Sequence, residues 1–212
     1  MQAELKKQSK AGQPLGSKGT ETRLKLMAAA RRLMNKTSPL SITAAAIAKE
    51  AGTAGATFYV YFNDVEDIVW ALCNAIAQDT TNLFADDSIL RDDARLEKDA
   101  LAFVKAYAEI WTRHGPLLLY RNLESDRGNA RFNQLVLRIA LPILKALTDR
   151  IVAASTTNRP ITRGEANAEA VVIYAGMDRI AAALHQYPRD GLMPDVLLRA
   201  EARVLTRMLR RR

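Results

Sequence analysis

The chain has 212 residues, 49% of them hydrophobic, and a formal net charge of +8. That length and apolar content suffice for a small head and one larger domain with its own core, and the basic balance points to an anionic partner. Cys73 is the single cysteine, which excludes an intrachain disulfide; no apolar run approaches the roughly 18 residues of a membrane span, and the first residues lack a signal-peptide core. A soluble protein of the reducing cytoplasm, with no membrane partner, is the expectation.

Met1 to Thr20, rich in Lys, Gln, Gly and Ser, has too little apolar content to fold alone and reads as a flexible basic arm. Lys6, Lys7, Lys10, Lys18, Arg23, Lys25, Arg31, Arg32, Lys36 and Lys49 crowd the first fifty residues, against Glu4, Glu21 and Glu50. Such an arm can follow a phosphate backbone or enter a minor groove, or serve only as a solubilising tail. Arg23 to Asn35 then carries Leu26, Met27, Ala30, Leu33 and Met34 at helical spacing, and Thr37-Ser38-Pro39 breaks it.

Thr43 to Phe62, TAAAIAKEAGTAGATFYVYF, has the spacing of a helix-turn-helix. Thr43 is placed to cap a helix over Ala44 to Ala51, and Gly52 supplies the left-handed backbone that ends it. A second helix from about Ala54 to Tyr61 follows, with Ile47, Ala51 and Phe58 as the buried contacts and small Ala48 at the crossing. Its free face offers Gly55, Ala56, Thr57, Tyr59, Val60 and Tyr61 to a DNA major groove. Asn63-Asp64 caps an exit helix, Val65 to Phe84, through Val65, Ile68, Val69, Leu72 and Ile76.

Residues 22 to 76 resemble the N-terminal domain of the TetR family of transcriptional regulators. The likeness rests on Ala29-Ala30, Leu33-Met34, Thr43, Ile47-Ala48, Ala51-Gly52, Thr57-Phe58-Tyr59 and Phe62, and covers about a quarter of the chain. It implies an all-α protein: a three-helix DNA-binding head over residues 21–64, then a larger helical effector-binding and dimerisation domain over 65–212. It implies also that Thr43, Thr57 and Tyr59 bind phosphates. Tyr61 stands where the family commonly has histidine, Ala54 replaces the usual serine cap, Gly55 and Val60 occupy frequently basic positions, and Val65 replaces a lysine. Base choice then falls to close backbone approach, methyl contacts and DNA shape.

Beyond Asp92 the pattern predicts helices at about 94 to 114, 116 to 125, 129 to 155, 163 to 187 and 194 to 210. His114-Gly115-Pro116, Asp126-Arg127-Gly128 and Thr157-Asn158-Arg159-Pro160 are the breaks, and Thr162-x-x-Glu165 resembles a capping box. Phe103, Tyr107 and Trp111 recur at four-residue spacing, with Tyr120, Phe132 and Tyr174 on neighbouring helices and Arg121, Arg138, Asp178 and His185 as polar candidates. Such a stripe is either core or the lining of an effector pocket, and the resemblance favours the pocket, taken as Phe103, Tyr107, Trp111, Tyr120, Phe132, Arg138, Tyr174 and Asp178. Ile173, Met177, Ile180 and Leu184, with Leu197, Val204 and Met208, form stripes on the last two helices suited to a homodimeric four-helix bundle. His114 and His185 have no second ligand at metal spacing, and no cofactor is expected.

The sequence thus describes a homodimeric repressor on a palindromic double-stranded operator, released by a small, largely apolar effector. No glycine-rich phosphate loop, nucleophile elbow or metal cluster suggests an enzyme. The rival reading is a basic helical scaffold that binds a protein or an anionic membrane surface, favoured by the apolar contact positions of the head.

Overall fold

The computed structural model describes residues 15–83, 90, 92–156, 160–186 and 193–210. Among these the regular elements are helical: α1 (Ser17–Met34), α2 (Ala44–Glu50), α3 (Gly55–Tyr61), α4 (Val65–Leu83), α5 (Leu96–Asp126), α6 (Ala130–Ala154), α7 (Arg163–Gln186) and α8 (Pro194–Leu209). The all-α class expected from the sequence is the class observed. Two compact units emerge, residues 1–76 with 116–135 and residues 77–115 with 136–212, the divisions falling inside α4, α5 and α6. Most of the expected arm lies outside the described residues, but Ser17 to Thr20 already belong to α1.

In the first unit, α1 buries Leu26, Met27, Ala29, Ala30 and Met34 along one stripe, the spacing of a helix that packs on one side only. Ile47, Ala48, Phe58, Phe62, Ile68, Val69 and Leu72 complete this core, each at most 3% exposed. Ala51, expected among the buried contacts, is half-buried because it is the C-cap of α2. Cys73 is buried, its thiol donates to the Leu117 carbonyl, and desolvation pushes its pKa up to about 12. It is a packed, unreactive side chain.

One expectation fails in the second half. The predicted break at His114-Gly115-Pro116 is absent: α5 is one helix of 31 residues with Pro116 inside it. An internal proline costs a helix about 3 kcal/mol, but Trp111, Leu117 and Leu118 on either side are 1–3% exposed, and burial of three such side chains outweighs that cost. Gly115 has its own reason. A Cβ built on it would lie 2.1 Å from the His185 imidazole, so only glycine admits the ring at this approach.

The second unit is built on Leu96, Ala100, Val104 and Trp111 of α5, Ile139, Ile143, Leu147 and Ile151 of α6, and the inner faces of α7 and α8. The capping box of α7 forms as expected: the Thr162 amide donates to Glu165 Oε2 at 2.8 Å and the Glu165 amide donates to Thr162 Oγ1 at 3.2 Å.

Glu201 on α8 is mostly buried, with Oε1 lacking a hydrogen-bond partner, and desolvation raises its carboxyl to about 7. Its folded pKa exceeds the ordinary value of 4.5, so the native state holds the proton more tightly than the unfolded chain. Stability from this site is therefore full below about 4.5 and lost as pH rises through about 7. Glu201→Gln is expected to leave thermal stability unchanged at pH 4 and to raise it at pH 8. The gain should be about 1–2 kcal/mol, less than the full shift implies because the side chain keeps some solvent. Melting curves at the two pH values check this, and equal effects at both would refute it.

Candidate functional site

Thr43 Oγ1 accepts from the Ala46 amide at 3.1 Å, so the predicted cap of α2 is made. At the other end Ala51 is the C-cap, Gly52 has φ +68°, its amide donates to the Lys49 carbonyl at 3.1 Å and the Thr53 amide donates to the Ala48 carbonyl at 2.9 Å. These are the paired bonds of a Schellman motif, which turns the chain sharply into α3. Phe58 and Phe62, 0% and 1% exposed with ring centroids 5.8 Å apart, anchor α3 in the core. Arg23 of α1 lies 4.8 Å over the Phe62 ring.

With that anchor buried, the opposite face of α3 is open. Gly55, Ala56, Tyr59 and Val60 are exposed, Tyr59 and Val60 by more than half, while Thr57 and Tyr61 are half-buried and Thr43 is exposed. A Cβ on Gly55 would meet no atom within 4 Å, and its φ is not left-handed, so nothing in the chain's own packing requires glycine there. The absent side chain leaves room for an approaching partner. α3 itself, GATFYVY, carries no charge. The nearby cations Lys36 and Lys49 are exposed, whereas Arg32 is held by Glu50, its Nε donating to Oε1 at 2.7 Å.

The eight residues expected at an effector pocket separate. In the second unit, Tyr107 Oη donates to Asp178 Oδ1 at 2.7 Å, Trp111 Nε1 donates to the same oxygen at 3.2 Å, and the Tyr107 and Tyr174 rings meet edge-on at 6.1 Å. Tyr107 and Trp111 are 4% and 1% exposed, and desolvation, ahead of the neighbouring Tyr174 and Asp178, drives the Tyr107 pKa well above its ordinary value. Phe103 is buried in the same unit and Arg138 is exposed. Tyr120 and Phe132 belong to the first unit, as an edge-on pair 5.7 Å apart. A cleft of about 450 Å³ in the second unit is lined by Ile151, Ser155, Pro160, Ile161, Glu165, Ala168 and Glu169, none of them among the eight.

Of the residues expected at a dimer interface, Ile173 and Met177 are buried in their own chain at 8% and 2% exposure, Ile180, Leu184, Leu197 and Met208 are half-buried, and Val204 is 54% exposed. Val172 on α7 and Val196 on α8, at 68% and 57%, are the apolar side chains left most open on these helices. The apolar stripe was legible, but one stripe serves both the chain's own core and its outer rim, and spacing alone does not divide them.

Sequence reasoning passed over a polar cluster at the start of α4. Asp67 Oδ2 accepts from the Asn63 amide at 3.2 Å and from Asn63 Nδ2 at 3.3 Å, while Oδ1 accepts from Arg131 Nη2 at 2.9 Å. Asp64 caps α4 as predicted, Oδ1 accepting from the Asp67 amide at 2.7 Å. The only local signal was the acid three residues beyond that cap. Its partner is 64 positions further along the chain.

Among the described residues, no group of three or more His, Cys, Asp or Glu could hold a metal ion, and no helix is long and apolar enough to cross a membrane.

Comparison with known proteins finds a family likeness over the head and a fold likeness over most of the chain. Residues 26–72 match the model of bacterial regulatory proteins of the tetR family. The fold is that of the fatty acid degradation regulator FadR from Bacillus halodurans, with TM-score 0.69, 16% identity, and 94% of this chain and 100% of that one covered. A Rhodococcus sp. RHA1 protein of unknown function aligns with TM-score 0.67 and 20% identity over 89% of this chain and 95% of its own. FadR from Bacillus subtilis, solved in complex with stearoyl-CoA, aligns with TM-score 0.62 and 17% identity over 88% and 96%. No curated protein matches the chain.

Proposed function

We propose that this chain, a member of the tetR family of bacterial regulatory proteins through its residues 26–72, is a homodimeric repressor that binds a palindromic operator and leaves it when a small, largely apolar effector binds. The observation that carries the DNA reading is the open face of α3, with Thr57, Tyr59 and Tyr61 beside Gly55, Ala56 and Val60, set by the Schellman turn after a capped α2. A short helix with a buried aromatic anchor and a bare outer face suits a major groove. Two heads on adjacent half-sites raise affinity through effective concentration, and Val172, Val196 and Val204 supply exposed apolar surface for the pairing.

The second unit is the place for the effector. Its aromatic and carboxylate group, buried Tyr107 and Trp111 with half-buried Tyr174 and Asp178, supplies apolar walls with a polar anchor, and a FadR of the same fold is known with stearoyl-CoA. Effector binding shifts the equilibrium of the exit helix α4 toward an arrangement that separates the heads unsuitably for the operator, by no more than the ratio of its affinities for the two states. The chain acts by this switch and carries out no turnover.

Thr57→Ala and Tyr59→Phe test the contacts. Both are expected to weaken binding to every duplex about equally, roughly 5- to 10-fold for a lost hydrogen bond to a charged phosphate oxygen. Fluorescence anisotropy on a series of single-base operator variants checks it. Loss confined to one base position would move these residues from phosphate contact to base reading.

A further inference from the structure

A short helix does not hold its own direction. α3 has seven residues, too few to be stable alone, so its orientation on DNA is set by what grips its two ends. The entry is fixed by the Schellman turn at Gly52. The exit is gripped by something else.

Immediately after α3, the Asn63 amide and side chain both donate to Asp67 Oδ2, and the other oxygen of that carboxylate accepts from Arg131. Arg131 is itself placed: its guanidinium lies 4.8 Å over the Trp70 ring, and Trp70 Nε1 donates to the Arg131 carbonyl at 3.3 Å. Asn129 Nδ2 donates to Glu66 Oε1 at 3.0 Å. The chain reaches this position through a second Schellman turn, at Gly128 with φ +87°, where the Gly128 amide donates to the Ser125 carbonyl and the Asn129 amide to the Glu124 carbonyl. Residues 129–131 are thus bolted to the first two turns of α4 by four contacts, and one carboxylate joins that bolt to the end of the recognition helix.

We infer that Asp67 and Arg131 are positioning residues for operator reading: together they hold Asn63, and with it the exit of α3, in the direction that the recognition face requires. The inference rests on the proposed DNA-binding role. It adds that the start of α6 carries a control point for that role, because any displacement of Arg131 is passed through Asp67 to Asn63. An exposed ion pair is worth little to stability, and the Arg131 side chain is half exposed. Its effect should therefore fall on orientation.

The test uses the full chain with Arg131→Ala, Arg131→Lys and Asp67→Asn, on an operator selected from random DNA by the unmodified protein and on a scrambled duplex, over a range of salt. Arg131→Ala is expected to lower operator affinity about 3- to 30-fold while leaving the melting temperature, the scrambled-duplex affinity and the salt slope unchanged. Arg131→Lys should recover part of the loss, since it restores the charge but not the flat stacking on Trp70. Asp67→Asn should match or exceed the Arg131→Ala loss. Amide hydrogen exchange at Asn63 and the last turn of α3 should quicken in both loss variants, with α1 and α2 unchanged. Equal loss on both duplexes with a salt slope smaller by about one would make Arg131 a phosphate contact and overturn the inference. Unchanged Asn63 exchange would overturn it too. If the unmodified protein shows no preference for any duplex, the DNA-binding proposal fails, and the exchange measurement still decides whether Asp67 and Arg131 hold the helix exit.

Discussion

Phe58→Ala is expected to unfold the DNA-reading head and abolish operator binding. Phe58 is 0% exposed and meets the rings of Tyr59 and Phe62 at 5.3 and 5.8 Å. Truncating such a buried aromatic removes its transfer free energy and leaves a cavity, together about 3–5 kcal/mol. Whole domains are stable by only about 5–15 kcal/mol, and a small one has little to spare. The loss also falls where it matters most, since α3 has no other fully buried side chain. Phe58→Leu, which keeps most of the apolar volume, should cost far less and retain binding. Thermal melts and anisotropy on the two variants decide the matter; an alanine variant that melts and binds like the parent would remove Phe58 as the anchor of the recognition helix.

The second large effect is expected at Asp178. Its Oδ1 satisfies both the Tyr107 hydroxyl and the Trp111 indole N–H, two donors with almost no access to water. Asp178→Leu strands the indole outright. Tyr107 loses its 2.7 Å acceptor and still meets the Tyr174 hydroxyl at 3.4 Å. At about 1–3 kcal/mol for the unsatisfied indole, with about 1.5–3 kcal/mol for the lost Tyr107 hydrogen bond to a carboxylate, the variant should lose about 2–5 kcal/mol. Asp178→Asn retains an acceptor and should lose about 1 kcal/mol. Adding Tyr107→Phe and Trp111→Phe to Asp178→Leu removes both donors that Asp178 served, the stranded indole among them, and the triple variant should regain stability over the single one despite its smaller ring volume. Denaturant titration measures all three. If Asp178→Leu proves as stable as Asp178→Asn, the three groups do not form a satisfied network.

The contrast between these two regions explains what the sequence could reveal. The head is written in local chemistry: the cap at Thr43, the left-handed Gly52 and the aromatic anchor at Phe58 follow one another along a single short stretch of chain, so spacing alone delivers helix, turn and helix. The free face of α3 followed directly from which side the anchor buried. Gly115-Pro116 shows the opposite case. Locally it is a helix stop, but burial of Trp111, Leu117 and Leu118 and the seating of His185 on Gly115 decide otherwise, and those forces come from distant segments. The Asp67 to Arg131 pair was hidden for the same reason: nothing near Asp67 in the sequence announces an arginine from the start of α6.

The account stands on sequence-specific DNA binding through α3, and the most direct measurement is anisotropy of the full chain with the duplex from upstream of its own gene, a scrambled duplex of equal length, and anionic vesicles. The account predicts binding to the upstream duplex at least about 1,000-fold tighter than to the scrambled one at physiological salt, lost together with the head in Phe58→Ala. Equal affinity for the two duplexes, or binding to vesicles without preference for either DNA, would contradict it and favour a basic scaffold for anionic surfaces.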